Sequence, residues 1–373
     1  MTSTLERRNA SMTVRIILLV LLILLVAAVL WYLLYFNPVI GRILELTGLS
    51  EEKSTSSFRF TGDAFALSGQ DLAVASSVGA QLFSSDGVLR SAESFAMDTP
   101  AVSASETLSV FYDVGGTALC VIMADGESIL LPRDNRILSA DVSRTGYITV
   151  VTEYPDYKGR VQVLSPGLTP LFVLDCGSSG YPLCARVSPR QHLVVCCVSS
   201  LGSVLRFFSL DSETELGSYT LDNALILDFN FLENGTLVAV TESGLLFLNE
   251  DGTLRESVDF ESRYPVEYCL TGSQAAILLR SERSGSAGEL CIFDSEANMT
   301  SCIRVDRDIS SVDLRNGQVL VLYEDEMTLY NEDFSDSISY QHVSNGSRAL
   351  LCGTSQAMLL GNYGAEIIRF PMT

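Results

Sequence analysis

Histidine is almost missing from this chain. Its 373 residues include only His192 and His342, far apart and neither in an H-E-x-x-H setting. A zincin-type metal site is thereby excluded, and both imidazoles read as structural or exposed. Tryptophan occurs once, at Trp31, and lysine twice, at Lys53 and Lys158. No C-x-x-C pair is present, which removes zinc ribbons and thioredoxin-like chemistry. There is no Walker A loop, no G-x-G-x-x-G opening a βα unit and no twelve-residue calcium loop. No G-x-S-x-G elbow appears either, and the run SGSAG at 284–288 lacks the strand-to-helix setting such an elbow needs. The expectation is a protein without catalytic residues, bound metal or cofactor. A glycosidase-type carboxylate pair is the one chemistry left open, since it needs only two carboxyls about 5–10 Å apart.

The most conspicuous presence is apolar. From Ile16 to Phe36 there are 21 consecutive apolar or aromatic residues without a charge. As a helix the run is ~31 Å long, enough to cross a hydrocarbon core. Trp31, Tyr32, Tyr35 and Phe36 close it where an interfacial belt would lie. A cleaved signal peptide has a shorter apolar region and a small-residue cleavage site. Here WYLLYFNP follows instead, so the run reads as an uncleaved signal anchor. Arg7, Arg8 and Arg15 precede it against Glu6 alone, which places the N-terminus in the cytoplasm. The expected organisation is a tail at 1–15, a span at 16–36 and a juxtamembrane helix and linker at 37–55. An extracytoplasmic domain at 56–373 follows. Asn37-Pro38 ends the helix, because proline disfavours the helical state in its predecessor.

That domain is strongly acidic. The chain carries a net charge of -21, and residues 16–373 hold 21 of the 24 basic and 44 of the 45 acidic side chains. Such a body repels nucleic acid and anionic surfaces. No nucleic-acid partner is expected. The charge keeps an exported domain soluble, with attraction of cationic partners or weak divalent-ion binding as the second reading.

After Asp63 one pattern recurs eight times: an apolar strand, a turn, a second apolar strand, then an acidic or Gly/Pro turn. Second strands read LAVASS, LSVFYD, YITVVTE, HLVVCCV, TLVAVTE, AAILLRS, QVLVLYE and AMLLGN. The turns after the third strands fall at Asp86, Asp125, Pro166, Asp211, Asp251, Asp294 and Asp333, spaced by 39 to 45 residues. Several strands in a period near 40 is the signature of a β-propeller. The eighth repeat has three strands (RALLCG, AMLLGN, EIIRF) and then the chain stops. The orphan segment SSFRFTG at 56–62 is placed to supply its missing outer strand, so that the ring closes between the two termini. The expected fold is all-β and eight-bladed, with seven blades as the alternative, preceded by one transmembrane helix. First strands such as SADVS and SVDLRNG are less apolar, as suits strands beside a central channel.

Without a WD dipeptide the chain looks unlike an ordinary WD40 protein. It resembles quinoprotein-like and YVTN-type extracellular propellers. The plan of basic tail, single span, linker and acidic propeller resembles an uncharacterised Firmicute family of membrane-anchored propellers, a DUF5711-like domain of unknown function. That resemblance implies a bacterial cell-surface location and transfers no catalytic residues.

Nine cysteines are present, mostly inside strands, where a free thiol acts as a small hydrophobe. The preferred disulfide is Cys176 with Cys184, across the turn CGSSGYPLC. Cys196 and Cys197 are adjacent on one strand and point to opposite faces.

Loops joining strands two and three share a face with the blade-to-blade junctions, and the unusual loops fall there. EYPDYKGR brings Tyr154, Tyr157, Lys158 and Arg160, and GSSGYPL brings Tyr181. ESRYP brings Arg263 and Tyr264, RSERSGSAGE brings Arg280 and Arg283, and PRDNR adds Arg133 and Arg136. Tyrosine and arginine are the types enriched at binding hot spots. The expected site is centred on Tyr154, Tyr157, Tyr181 and Tyr264, over the channel mouth. The expected role is a membrane-anchored platform for an envelope protein. The alternative is a sensor for a small envelope ligand such as a sugar or peptide; a hydrolase or lyase is the third reading.

Overall fold

A computed structural model describes residues 55–370, apart from 178–179, 283–284, 342 and 344–345. The expected tail, the span at 16–36 and nearly all of the linker lie outside the described residues, as do Arg283 and His342. Among the described residues every regular element is a strand, and no helix is long and apolar enough to cross a membrane.

The strands form eight four-stranded antiparallel sheets. Blades 1 to 7 follow chain order at 64–94, 100–130, 137–176, 181–222, 226–259, 264–305 and 309–341. Blade 8 takes three strands from 348–369 and its outermost strand from Thr55–Arg59. Phe58 lies opposite Ala365 and Arg59 opposite Gly364 in that pairing. The eight-bladed reading and the closure by the 56–62 segment therefore hold, and the seven-bladed alternative falls.

Strand position explains composition. Second and third strands are covered on both faces, and segments such as Ile148–Thr152 and Gly244–Leu248 are buried at every position. Such strands can be apolar throughout. Fourth strands lie at the rim with one face in water, so Glu215–Asp222 alternates between exposed and half-buried positions. The apolar core is divided into eight clusters, one at each interface between neighbouring blades. The cluster joining blades 8 and 1 packs Phe60, Phe65 and Phe83 against Met358, Leu360 and Ile367.

Innermost strands pair on one edge only, and side chains supply the other edge with partners from the next blade. The Ser68 hydroxyl donates to Ser105 O at 3.0 Å, and Val142 N donates to Ser103 Oγ at 3.1 Å. Thr149 reaches Ala185 O, and Ile226 N reaches Ser203 Oγ. Asn230 donates to Leu270 O at 2.6 Å, Thr271 to Leu314 O at 2.5 Å, and Leu351 N to Asp313 Oδ2 at 2.7 Å. Arg348 donates to Phe65 O at 3.5 Å. Every one of the eight interfaces is stitched in this way.

Phe60 follows the terminal strand and its ring centroid lies 5.7 Å from that of Phe65 and 5.6 Å from that of Phe83. Phe60→Ala is expected to cost about 3–5 kcal/mol in urea denaturation, the usual range for emptying a buried phenylalanine site. A loss below about 1 kcal/mol would mean that the terminal strand contributes little to closure.

Candidate functional site

The face of interest carries the loops between second and third strands and the junctions between blades; it is called the mouth face below. The hairpin between Ile148–Thr152 and Gly159–Leu164 presents Tyr154, Tyr157 and Lys158 there. Asp156 makes the loop's tight turn with φ of 68°. Gly159 is needed where the hairpin meets blade 4, because a Cβ would lie 2.6 Å from Pro182 Cγ. Asp175 clasps Arg160 through Nε at 2.6 Å and Nη2 at 3.0 Å. This carboxylate raises the guanidinium pKa above its ordinary value. The same guanidinium lies 3.5 Å from the centroid of the Tyr154 ring, and the Tyr157 ring is 5.7 Å from that of Tyr154. Lys158 Nζ stands 5.6 Å from the centre of the Tyr181 ring, across the junction. Three of the four expected tyrosines thus gather with Lys158 and Arg160, and Tyr157 and Tyr181 remain 50% and 58% exposed.

Tyr264 does not join this group. It opens the inner strand of blade 6, and blade 5 stands between it and Tyr181. Tyr264 lies opposite Arg280 in the sheet register. Arg280 is buried and bonds Asp308 through Nη2 at 3.1 Å. Arg263 bonds Glu289 at 2.6 Å and the Phe260 carbonyl at 2.9 Å. Arg133 donates to Gln162 at 3.2 Å.

Residues that sequence reasoning missed fill the gap between the two tyrosine positions. The inner strands of blades 4, 5 and 6 each shift register near their start, between Pro182 and Cys184, Ile226 and Asp228, and Pro265 and Glu267. The extra residues are Leu183, Leu227 and Val266, which remain 46%, 45% and 38% exposed. A bulge leaves its extra residue outside the ladder and redirects it. Leu201 and Leu225 are exposed on the same face of the same blades. The available signal was an apolar residue at the head of each first strand, in a strand class otherwise rich in polar side chains.

The channel side of the inner strands is ionic. Arg186 lies between Asp228 at 2.8 Å and Asp141 at 3.6 Å, and its guanidinium carbon is 5.2 Å from the Phe229 ring centre. Ser103 donates to Asp141 at 3.0 Å. Burial pushes the Asp141, Glu267 and Asp313 carboxyls up from their ordinary values. His192 Nδ1 lies 3.0 Å from Glu250 on the opposite face, between blades 4 and 5.

The expected Cys176–Cys184 disulfide is not formed; both residues are free thiols. Cys176 ends the outer strand of blade 3 and turns into the core between blades 3 and 4, where its thiol meets Cys197. Cys184 faces Cys196, its register partner within blade 4. The disulfide present joins Cys291 and Cys302, direct cross-strand partners with Cα atoms 4.1 Å apart. Glu289 lies beside that pair at ligand spacing, but both sulfurs are held in the disulfide.

Residues 47–369 match the family described as "Family of unknown function (DUF5711)". The chain belongs to this family. No curated protein matches it. Among solved structures it is similar to the C-terminal WD40 domain of Sif2, at TM-score 0.62 and 13% identity, covering 86% of this chain and 99% of that one. It is also similar to BamB from Moraxella catarrhalis, at TM-score 0.55 and 11% identity, covering 84% and 98%. A third similar structure is that of the dihydro-heme d1 dehydrogenase NirN in complex with DHE, at TM-score 0.55 and 14% identity, covering 76% and 66%. At these identities the likeness is one of fold, the β-propeller.

Two outcomes are expected from this arrangement. Asp313 binds a proton more readily folded than unfolded, so between its ordinary value of 3.8 and its raised value stability falls as pH rises. Asp313→Asn keeps a carbonyl oxygen for Leu351 N and removes the charge. Urea denaturation should find the variant more stable than the parent at pH 8, with the difference shrinking towards pH 4; a less stable variant at pH 8 refutes this. In non-reducing peptide mapping of thiol-blocked protein, Cys291 and Cys302 should appear linked, and no Cys176–Cys184 pair should be recovered.

Proposed function

We propose that this DUF5711 chain is a non-enzymatic interaction platform, anchored in the cytoplasmic membrane through residues 16–36, that holds an envelope protein on its mouth face outside the cell. The observation that carries the reading is the group formed by Tyr154, Tyr157 and Tyr181. Two of these rings are half exposed, yet the group is held in place by Arg160, Asp175 and Lys158. Rigid aromatic side chains lose little entropy on binding, and this favours them as anchors for a protein partner. A propeller supplies a stiff scaffold for such loops. The anchor and its orientation rest on the uncharged run at 16–36 and on Arg7, Arg8 and Arg15 before it. The non-enzymatic part rests on the missing nucleophile and metal motifs, and on channel ionic groups that are paired with one another, as Arg186 is with Asp141 and Asp228.

Crosslinking the full-length protein in its native membrane, followed by purification, tests the reading. One protein should be recovered reproducibly from the parent and lost from the Tyr154→Ala, Tyr157→Ala, Tyr181→Ala triple variant. Surface changes of this kind leave stability nearly unchanged, so the melting temperatures should agree within a few degrees. Equal recovery from parent and variant would sink the tyrosine site, and no partner from either would sink the platform.

A further inference from the structure

The mouth face carries more than tyrosines. Tyr157, Tyr181, Leu183, Leu225, Leu227 and Val266 are all exposed and follow one another from blade 3 to blade 6. Scattered apolar residues on a surface are ordinary, but a contiguous series on one face marks an interaction site. The series ends at Val266, and on the same strand Tyr264 lies opposite Arg280, which bonds Asp308. Asp308 lines a cleft of about 820 Å³ between blades 6 and 7, together with Asp306, Arg307, Glu324, Asp325 and Glu326. Five carboxylates there face two guanidiniums: Arg280 bonds Asp308, and Arg307 is engaged by Asp325 and Glu326 at 2.5 and 2.6 Å. Asp306 and Glu324 are exposed at the cleft.

From this juxtaposition we infer that the mouth face binds an amphipathic protein segment, whose apolar side chains lie along the series from blade 3 to blade 6 and whose Lys or Arg side chains enter the acidic cleft. The inference rests on the platform reading and names the partner's chemistry. Charge complementarity selects the occupant, because the apolar stripe and the acidic cleft together fit a segment that is apolar along one stripe and basic at one end. An anionic lipid surface fits the stripe but is repelled by the cleft and by a chain of net charge -21. A second copy would bring two acidic clefts together. Thr55, where the described chain begins, pairs with Ile368 at the end of a third strand, on the face opposite the mouth.

The test uses a fluorescently labelled peptide of leucines at helical spacing with lysines clustered at one end, titrated into the full-length chain and followed by anisotropy. The peptide should bind, and binding should weaken at least tenfold on replacing its lysines with glutamate. A Leu183→Ser, Leu227→Ser, Val266→Ser variant should also lose at least tenfold. Asp306→Asn with Glu324→Gln should lose a similar factor and flatten the salt dependence, since exposed charges are screened within about a Debye length. Leu216→Ser, on the rim strand of blade 4, controls for a general loss of stability and should change nothing. Equal binding of the glutamate peptide, or equal binding to the serine variant with its melting temperature intact, overturns the inference. So does binding of vesicles containing anionic lipid without binding of the peptide. An acidic or wholly polar partner crosslinked through the tyrosines would refute this partner chemistry while leaving the platform standing.

Discussion

A propeller's central constraint is the free edge of its innermost strands. Each of these strands has a hydrogen-bonded neighbour on one side and faces the channel on the other. Backbone amides and carbonyls left there must find partners or stay in water. In this protein small polar side chains, together with Asp313 and Arg348, answer the constraint by reaching into the next blade's inner strand. Six of these eight side chains lie on first strands, the least apolar of each repeat; Thr149 lies on a second strand and Ser203 on a third. On those six the polarity of the first strand serves the contact between blades.

Closure follows from this arithmetic of edges. Eight interfaces need eight cores and eight sets of stitches, and the interface between blades 8 and 1 receives both, although its strands come from opposite ends of the chain. Because the outermost strand of blade 8 is Thr55–Arg59, the ring cannot be completed without the residues that follow the N-terminal segment. That strand begins on the face opposite the mouth and runs towards it.

The architecture was legible because every repeat states strand position in its composition. Runs such as VVCC and LVAV can only be strands covered on both faces, and the acidic turns after third strands recur at nearly constant spacing. The orphan FRF of 58–60 announced the closing strand because its alternation had no partner nearby. The site was half legible. Tyr154, Tyr157 and Lys158 lie in one short loop, and Tyr181 is brought to them by a junction of predictable position. Leu183, Leu227 and Val266 were legible only as apolar residues at the heads of first strands; their exposure depends on register shifts that a single sequence does not display. The cysteine pairing failed for a related reason. A short loop suggested Cys176 with Cys184, but one ends a rim strand and the other sits on the channel strand of the next blade. Cys291 and Cys302 are farther apart in sequence yet directly opposite across a hairpin.

The acidity of the body and the apolar series on its mouth face belong to one physical balance. An exposed apolar series invites self-association, since apolar area leaving water is favourable whatever covers it. A large net charge of one sign opposes the approach of two identical bodies. Here part of the opposing charge stands beside the series itself, in the cleft between blades 6 and 7. Carboxylates placed there penalise every acidic or identical surface that would cover the leucines, and they reward a basic one. The charge therefore acts at two ranges. At long range it keeps the bodies apart, and at contact range it determines which apolar partner is accepted, because discrimination comes from what a site repels as much as from what it attracts.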